Sequence, residues 1–506
     1  MSRGFKFTLY IILFLATFNF TTPLSCGTYI VSDLGGSSEL GPYAVVFFGL
    51  GNASSFGLGH HLSKRFGKSQ LAFTSLAFFV ITIFLSGIAS TFLVFIFFRF
   101  LSGVAGGSLG YASGALINEN TTEKEKITAL GYSALIMSLT PTLGGAFGAW
   151  IAYDFTWQWV FYSQIPLFLI VTVILYHYKK PFLKTKSEPF DWTGYIFYIL
   201  MLMSGTIAIA LGQQLDWFRS PLICSLIGIF IASFLFFCIW ELKTEEYYFL
   251  KISICRALLF STSILCMLTI YSAYYGILTL LSLWLHLEVS YTPIWIAIIL
   301  LTMAFSSLLL FLLFRFWEKK VISFKIIAAA VLTLSFGAFY STTFNSEINF
   351  TRLLIAHTIT GFGLSFTMFP LFLLTIRSLP SEDIDHGTAI FQSIRLIAGG
   401  LGAIIYSTIW LRRKVFYHER LGESLTPYSE LTSETLKQTA FYGPTGTKAH
   451  LILDKALNTQ SAALALADCF YLIGWIMLGL FFILAIYIYI EGNATRKLLN
   501  EDLNLQ

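Results

Sequence analysis

The sequence predicts an all-α, polytopic membrane protein, and three observations carry that expectation. Hydrophobic side chains make up 56% of the 506 residues and charged ones only 12%, against about 25% charged residues in soluble chains. Apolar runs of about 20 residues, enough to cross roughly 30 Å of hydrocarbon, recur along almost the whole chain. These runs do not alternate apolar and polar residues as the strands of a membrane barrel do. The mean hydropathy of +0.74 agrees.

Fourteen spans can be placed in order, at about 7–31, 42–62, 70–90, 92–118, 128–152, 157–177, 192–212, 220–240, 257–285, 291–314, 323–343, 350–376, 387–411 and 465–490. The first follows Arg3 and Lys6 as the apolar core of a signal peptide would, but it is too long for one. Pro23 also stands where a lipidation site at Cys26 needs an aliphatic residue, so the run reads as a spanning helix. An even number of spans puts both termini on one side of the membrane. With the N-terminus inside, the cytoplasmic segments hold 21 lysines and arginines, and the short outer loops hold only Arg219 and Arg352. Positive charge collects on the cytoplasmic side of membrane proteins. The expectation is therefore a multi-pass protein of a bacterial inner membrane with both ends cytoplasmic. The net charge of +5 is explained by this topology, with no nucleic-acid partner needed. Residues 412–464, rich in Ser, Thr, Glu and Gly, form the one long hydrophilic segment and are expected as an outer loop.

The polar residues inside spans are the candidate functional ones. Arg99 lies about 10 Å below the outer end of its helix, at about 1.5 Å per residue. A charge in hydrocarbon costs about 2.5–3.5 kcal/mol on insertion scales and is kept for a pathway or a gate. The alternative is a charge permanently neutralised by carbonyls. Arg395, beside Gln392, sits similarly deep, about 12 Å from the inner end of span 13, and is a candidate for coupling or an inner gate. Asn19 falls about 18 Å into the first span, where its amide can face a substrate cavity or bond a neighbouring helix. His357 is the only histidine well inside a span. Its imidazole can titrate near neutral pH, or it is a neutral core histidine. Asp468 is expected at an interface near the outer end of the last span. Pro141, Gly144 and Gly145 allow span 5 to bend and pack closely.

Several stretches then line up with one pattern. RFLSGVAGG (99–107) resembles the R-x-x-x-G motif of the fourth helix of the major facilitator superfamily, and TPTLGGAFGAWI (140–151) resembles its antiporter motif. WQWVFYSQIP (157–166), DWTG (191–194), LDWF (215–218), WEL (240–242) and residues 391–428 resemble EmrB/QacA-type fourteen-helix exporters in the same order. The resemblance spans nearly the full chain. It implies the major facilitator fold: a six-helix half over 1–178, a two-helix insert within 179–256, a second half over 257–490 and a cytoplasmic tail over 491–506. It also implies a substrate site near the midplane, alternating access by rocking of the halves, and an adaptor of the membrane-fusion type at the outer face.

The function so implied is export of hydrophobic or amphiphilic small molecules by substrate/proton antiport. The chain departs from the family pattern at informative places. Asn19 stands where such exporters carry the acid taken to bind the coupling proton, and Lys64 replaces an acid in the 2–3 loop. Thr140 replaces a glycine and Gln164 an asparagine. Asn19 motivates a second reading, an exporter of a specific metabolite or siderophore with altered or absent proton coupling. An intramembrane enzyme would need a catalytic cluster such as HExxH, which the sequence lacks, and there is no Walker A motif to bind ATP. No metal site or cofactor is expected. The six cysteines follow no CxxC spacing and read as buried free thiols.

Overall fold

The computed structural model describes residues 3–122, 125–178, 190–244, 249–317, 323–377, 379–380, 383–426, 428–441 and 444–504. The loop lysines counted above at 124, 179, 180, 184, 186, 319 and 320 lie outside these residues. Helices make up nearly all of the described chain, and no strand occurs in it.

The first predicted span is not one helix. It is split into α1 (Arg3–Thr21) and α2 (Pro23–Asp33). Proline has no N–H to donate to the carbonyl four residues back, here that of Asn19. That carbonyl is left for other donors, and Thr22 Oγ1 takes it at 3.1 Å. Four unbroken helices follow: α3 (Tyr43–Phe66), α4 (Lys68–Gly87), α5 (Phe92–Glu119) and α6 (Lys126–Asp154). The next predicted span is again divided, into α7 (Trp159–Tyr162) and α8 (Ile165–His177), with Pro166 in the first turn of the second part. Then come α9 (Trp192–Gly212), α10 (Pro221–Lys243), α11 (Leu258–Leu287), α12 (Pro293–Trp317), α13 (Phe324–Ser341), α14 (Phe350–Arg377), α15 (Ile384–Gly422), α16 (Glu430–Phe441) and α17 (Thr447–Asn504).

Every predicted span meets a helix, and twelve segments among the described residues are long and apolar enough to cross a membrane. The two predicted spans outside that dozen have simple reasons. Helix α3 carries Asn52, His60, His61, Lys64 and Arg65, which lower its hydropathy, and in α12 the run Pro293–Leu309 is counted over its described side chains alone, although the sequence stays apolar through Phe314.

Residues 412–464 differ from expectation. Helix α15 runs on to Gly422, α16 occupies part of the stretch, and α17 begins at Thr447, well before its apolar portion. Hydrophilicity reported solvent contact there, not loop structure. The extension is fastened by polar bonds: Arg413 Nε to Asp468, Lys414 to Glu288, and the Trp410 indole N–H to the Ala462 carbonyl at 3.0 Å. Asp468 is thus engaged by an arginine near the start of its predicted span. The cysteines also divide: Cys26, Cys266 and Cys469 are buried thiols, whereas Cys224 and Cys255 are exposed.

Helices α1–α8 pack chiefly on one another, as do α11–α15 with α17, and the two groups meet along α3 with α15 and along α6 with α12 and α14. Helix α9 sits against the α3–α15 seam, where Tyr198 donates to the Ala53 carbonyl at 3.2 Å. Helix α10 shows most of its apolar surface outward, as a lipid-facing helix does.

The break between α1 and α2 is covered by a glycine face of α6. A Cβ at Gly148 would lie 2.0 Å from the Thr22 carbonyl oxygen, and one at Gly144 would lie 2.1 Å from Thr21 Oγ1. Gly148→Ala therefore forces backbone apart, and such overpacking costs about 1–3 kcal/mol. The purified variant should melt below the parent in a thermal-shift measurement, and an unchanged melting point would mean that α6 does not rest on the break.

Candidate functional site

Arg99 is fully buried on α5, and three other helices, α1, α3 and α7, converge on it. Its Nη1 donates to Asn19 Oδ1 at 2.8 Å, and its Nη2 donates to the carbonyls of Asn19 at 3.2 Å and Phe20 at 3.4 Å. Its Nε donates to the Ala44 carbonyl of α3 at 3.1 Å. The rings of Phe48 and Phe161 lie 4.6 and 5.6 Å from the guanidinium carbon, and such faces attract a cation. Every acceptor is neutral. Among the described residues no carboxylate lies within ion-pair distance of Arg99. The proline break now has a local purpose, since the carbonyl that Pro23 cannot bond is one the arginine uses.

Asn19 is fixed from both sides. Its Oδ1 faces Arg99, and its Nδ2 donates to Gln164 Oε1 at 3.2 Å. Gln164 in turn donates to the Val160 carbonyl at 2.7 Å. The amide at position 164 is therefore long enough to brace Asn19 from the gap between α7 and α8. Asn19, a candidate cavity residue from sequence, is turned into this network and is not among the residues lining the cavity. No side chain in the Asn19–Arg99–Gln164 set exchanges a proton at working pH, because amides do not titrate and a guanidinium stays charged.

The cavity lies between the α1–α8 group and helices α14 and α15. Including its open mouth it holds about 1160 Å³. Its wall is formed by α1 (Thr17, Phe20), α3 (Phe48, Asn52), α5 (Tyr111, Asn118), α6 (Met137), α14 (Phe372) and α15 (Gln392, Arg395). The mouth reaches Thr121 and Ile384, at the end of the bundle that carries the N-terminus. The opposite end is closed: Ser25 and Ser282 hydroxyls are 3.4 Å apart, and the Tyr29 and His286 rings lie 4.9 Å apart. Gly145 sits in this closure, between Ser25 of α2 and Leu300 of α12. Pro141 lies inside α6, one turn nearer the mouth.

Arg395 and Gln392 are brought together on the cavity wall. Arg395 Nε donates to Gln392 Oε1 at 2.7 Å, and its guanidinium lies over the Tyr271 ring at 5.5 Å. His357 is placed elsewhere. It is buried on α14 with Nδ1 2.7 Å from the Leu353 carbonyl, its Nε2 has no partner among the described residues, and it does not line the cavity. Sequence reasoning missed the aromatic wall, Phe20, Phe48, Phe56, Tyr111 and Phe372, because hydropathy does not say which face of a helix turns inward. It also missed the pairing of α3 with α15 near the mouth, where the His60 and His386 rings meet, tilted, at 4.7 Å and Lys251 bonds Asp383 at 2.7 Å. Among the described residues no group of histidine, cysteine and acidic side chains could hold a metal.

Residues 9–403 match the family model of the Major Facilitator Superfamily. The chain belongs to that superfamily. This facilitator is 27% identical over 434 residues to the fatty acid resistance protein FarB of Neisseria gonorrhoeae, covering 85% of each chain. It is 26% identical over 463 residues to the multidrug export protein EmrB of Escherichia coli strain K12, covering 90% of this chain and 88% of that one. Solved structures share its fold. The POT family transporter PepTSo superposes with a TM-score of 0.57 at 13% identity, covering 95% of this chain and 98% of that one. A bacterial homologue of the human lysosomal transporter Spinster, inward-facing and unoccupied, gives 0.56 at 13% identity, covering 96% and 98%.

The Arg99 network makes a stability prediction. Asn19→Leu removes an acceptor from a buried cation, and hydrogen bonds to charged groups are worth about 1.5–3 kcal/mol. The leucine variant of the facilitator should lose stability on that scale in a denaturant or thermal titration. Asn19→Asp keeps the acceptor and should melt near the parent or above it at neutral pH. If leucine and aspartate behave alike, Asn19 is not holding the arginine.

Proposed function

We propose that this facilitator is a secondary active exporter of hydrophobic and amphiphilic small molecules of the multidrug-efflux type. The observation that carries the reading is the aromatic-walled cavity between two helix groups, open at one end and closed at the other. Superfamily membership and the similarity to proteins named for multidrug export and fatty acid resistance support it. Residues 1–178 rock against 257–490 around the site. The mouth takes substrate from the cytoplasmic side of a bacterial inner membrane, where the lysine and arginine bias puts the N-terminal end. The closure through Ser25, Ser282 and Gly145 is then the outer gate. Its glycine removes the bulk that would otherwise separate α6 from α2 and α12. Arg395, with Gln392, is the polar contact on the cavity wall.

Proton antiport is the energy source that this reading favours. Its usual carrier in helix 1 is an amide here, and the amide is committed to Arg99. That observation favours a second reading, in which coupling is altered or absent and the cargo is a dedicated metabolite or siderophore. Reconstitution into liposomes separates the two. Under antiport, a lipophilic dye accumulates against its gradient only while a pH gradient is imposed. Flux indifferent to the pH gradient supports the second reading, and Asn19→Asp should then create pH dependence by supplying an exchangeable proton beside Arg99.

The helical extension over 412–464 is the surface we assign to an outer membrane-fusion adaptor. Removing α16 should lower export in whole cells while leaving flux in liposomes unchanged. Full export by the deleted chain would mean that no partner needs this surface.

A further inference from the structure

We infer that the sealed end conceals a release path whose wall is a polar stripe of α11, and that Tyr275 and Thr279 set how readily it opens. The inference rests on the rocking of the two helix groups proposed above and adds the residues that balance its two states. Tyr271, Tyr275, Thr279, Ser282 and His286 follow one another at intervals of three or four residues, so they share one face of α11. The face begins beside the cavity, where the Arg395 guanidinium lies over the Tyr271 ring. It ends about 22 Å further on, at about 1.5 Å per residue. There a second hollow of about 1150 Å³, counted with its open mouth, is lined by His286, Tyr29, Asp33 and Trp157. Cavity and hollow are parted by the contact of this face with α1 and α2. The Tyr275 ring meets Phe20, a cavity residue, at 5.5 Å, Ser282 Oγ lies 3.4 Å from Ser25 Oγ, and the His286 ring meets Tyr29 at 4.9 Å. Each of these contacts joins one helix group to the other.

The seal is polar where an apolar one would hold better. Tyr275 and Thr279 are each 1% exposed, yet the Tyr275 hydroxyl and Thr279 Oγ1 have no hydrogen-bond partner among the described residues. A threonine inside a helix usually donates to the carbonyl three or four residues back, as Thr358 does to Leu354 at 2.7 Å. Thr279 makes no such bond. A buried hydroxyl without a partner carries a desolvation cost that water would cancel. Parting the two helix groups along this face lets water reach both hydroxyls. The sealed form therefore bears a penalty that the open form does not, and the balance between the two stays shallow. Phenylalanine and valine at these positions would remove the penalty and keep the apolar burial, locking the seal. The stripe thus acts in both states: it weakens the seal while closed and offers a hydrated wall to a departing molecule once open.

The test reads access at both ends of the full-length protein in lipid nanodiscs, where a sulfonated maleimide reaches either face. Ser282→Cys reports the seal: position 282 is buried, so its thiol reacts only when the seal parts. Thr388→Cys, on the cavity wall, reports the mouth. Peptide mass spectrometry reads each position separately from the native cysteines. Adding Tyr275→Phe with Thr279→Val should slow labelling at position 282 by about fivefold or more, the scale of an unmet hydroxyl. Labelling at position 388 should stay within about twofold or rise, and each single change should give part of the slowing, which decides the matter should the double variant not fold. Thr279→Ser keeps the hydroxyl and should label as the parent does. Tyr274→Phe is the control. Its hydroxyl is also buried and unpartnered among the described residues, but position 274 lies off the stripe, so both labelling rates should stay at the parent's. Labelling at position 282 that the Tyr275 and Thr279 changes leave unaltered or speed up overturns the proposal, and so does an equal slowing by Tyr274→Phe. Those outcomes leave the transporter reading standing. No labelling at position 282 in the otherwise unchanged chain means that the seal never opens, which overturns the rocking of the helix groups as well.

Discussion

The first half of this molecule depends on keeping one positive charge out of water without a negative partner. Burying a guanidinium costs several kcal/mol unless its donors are satisfied. The chain satisfies Arg99 with backbone carbonyls from α1 and α3, the Asn19 amide and two aromatic faces. Each acceptor demands something of its own element. The α1 carbonyls are reachable because Pro23 ends the helix, Asn19 is aimed because Gln164 braces it, and Gln164 reaches because the span after α6 is itself divided at that residue. Helix packing, breaks and polar contacts in this region answer to one electrostatic requirement.

The same breaks lie beside the closed end of the cavity. Where α1 stops and α2 begins, the chain is covered by the glycines of α6, and Gly145 carries that face on to α12 in the other helix group. The arginine network and the closure opposite the cavity mouth are neighbours through two short segments of backbone. The cavity begins on the other side of Phe20 and Phe48, whose rings pack together at 5.4 Å. Phe48 therefore divides the buried charge from the cavity it borders.

Much of this was legible in the sequence, for identifiable reasons. The spans are apolar because lipid is their solvent, so hydropathy located a helix at each of them. The motif around Arg99 and the glycines after Pro141 are set by backbone approach, which leaves few residue choices. What was illegible depends on helix rotation. Asn19 could have faced substrate or protein, and only packing turned it to Arg99 and Gln164. Arg395 and Gln392 face the cavity for the same tertiary reason. The stretch 412–464 was misjudged because polarity was taken for loop. Its run from Lys448 to Ala465, free of glycine and proline and rich in alanine and leucine, was the available helix signal. Pro23 was noted only as a poor lipidation residue, although its position four after Asn19 marked a carbonyl free to bond.

The proline and the arginine have a joint evolutionary consequence. Pro23 frees a carbonyl that Arg99 shares with the Thr22 hydroxyl, and that carbonyl is one of the four oxygens that satisfy Arg99. Each residue therefore raises the penalty for losing the other. Such positions are non-additive. Lineages descending from this chain should keep both or replace both, and a single exchange at either position closes a mutational route instead of opening one.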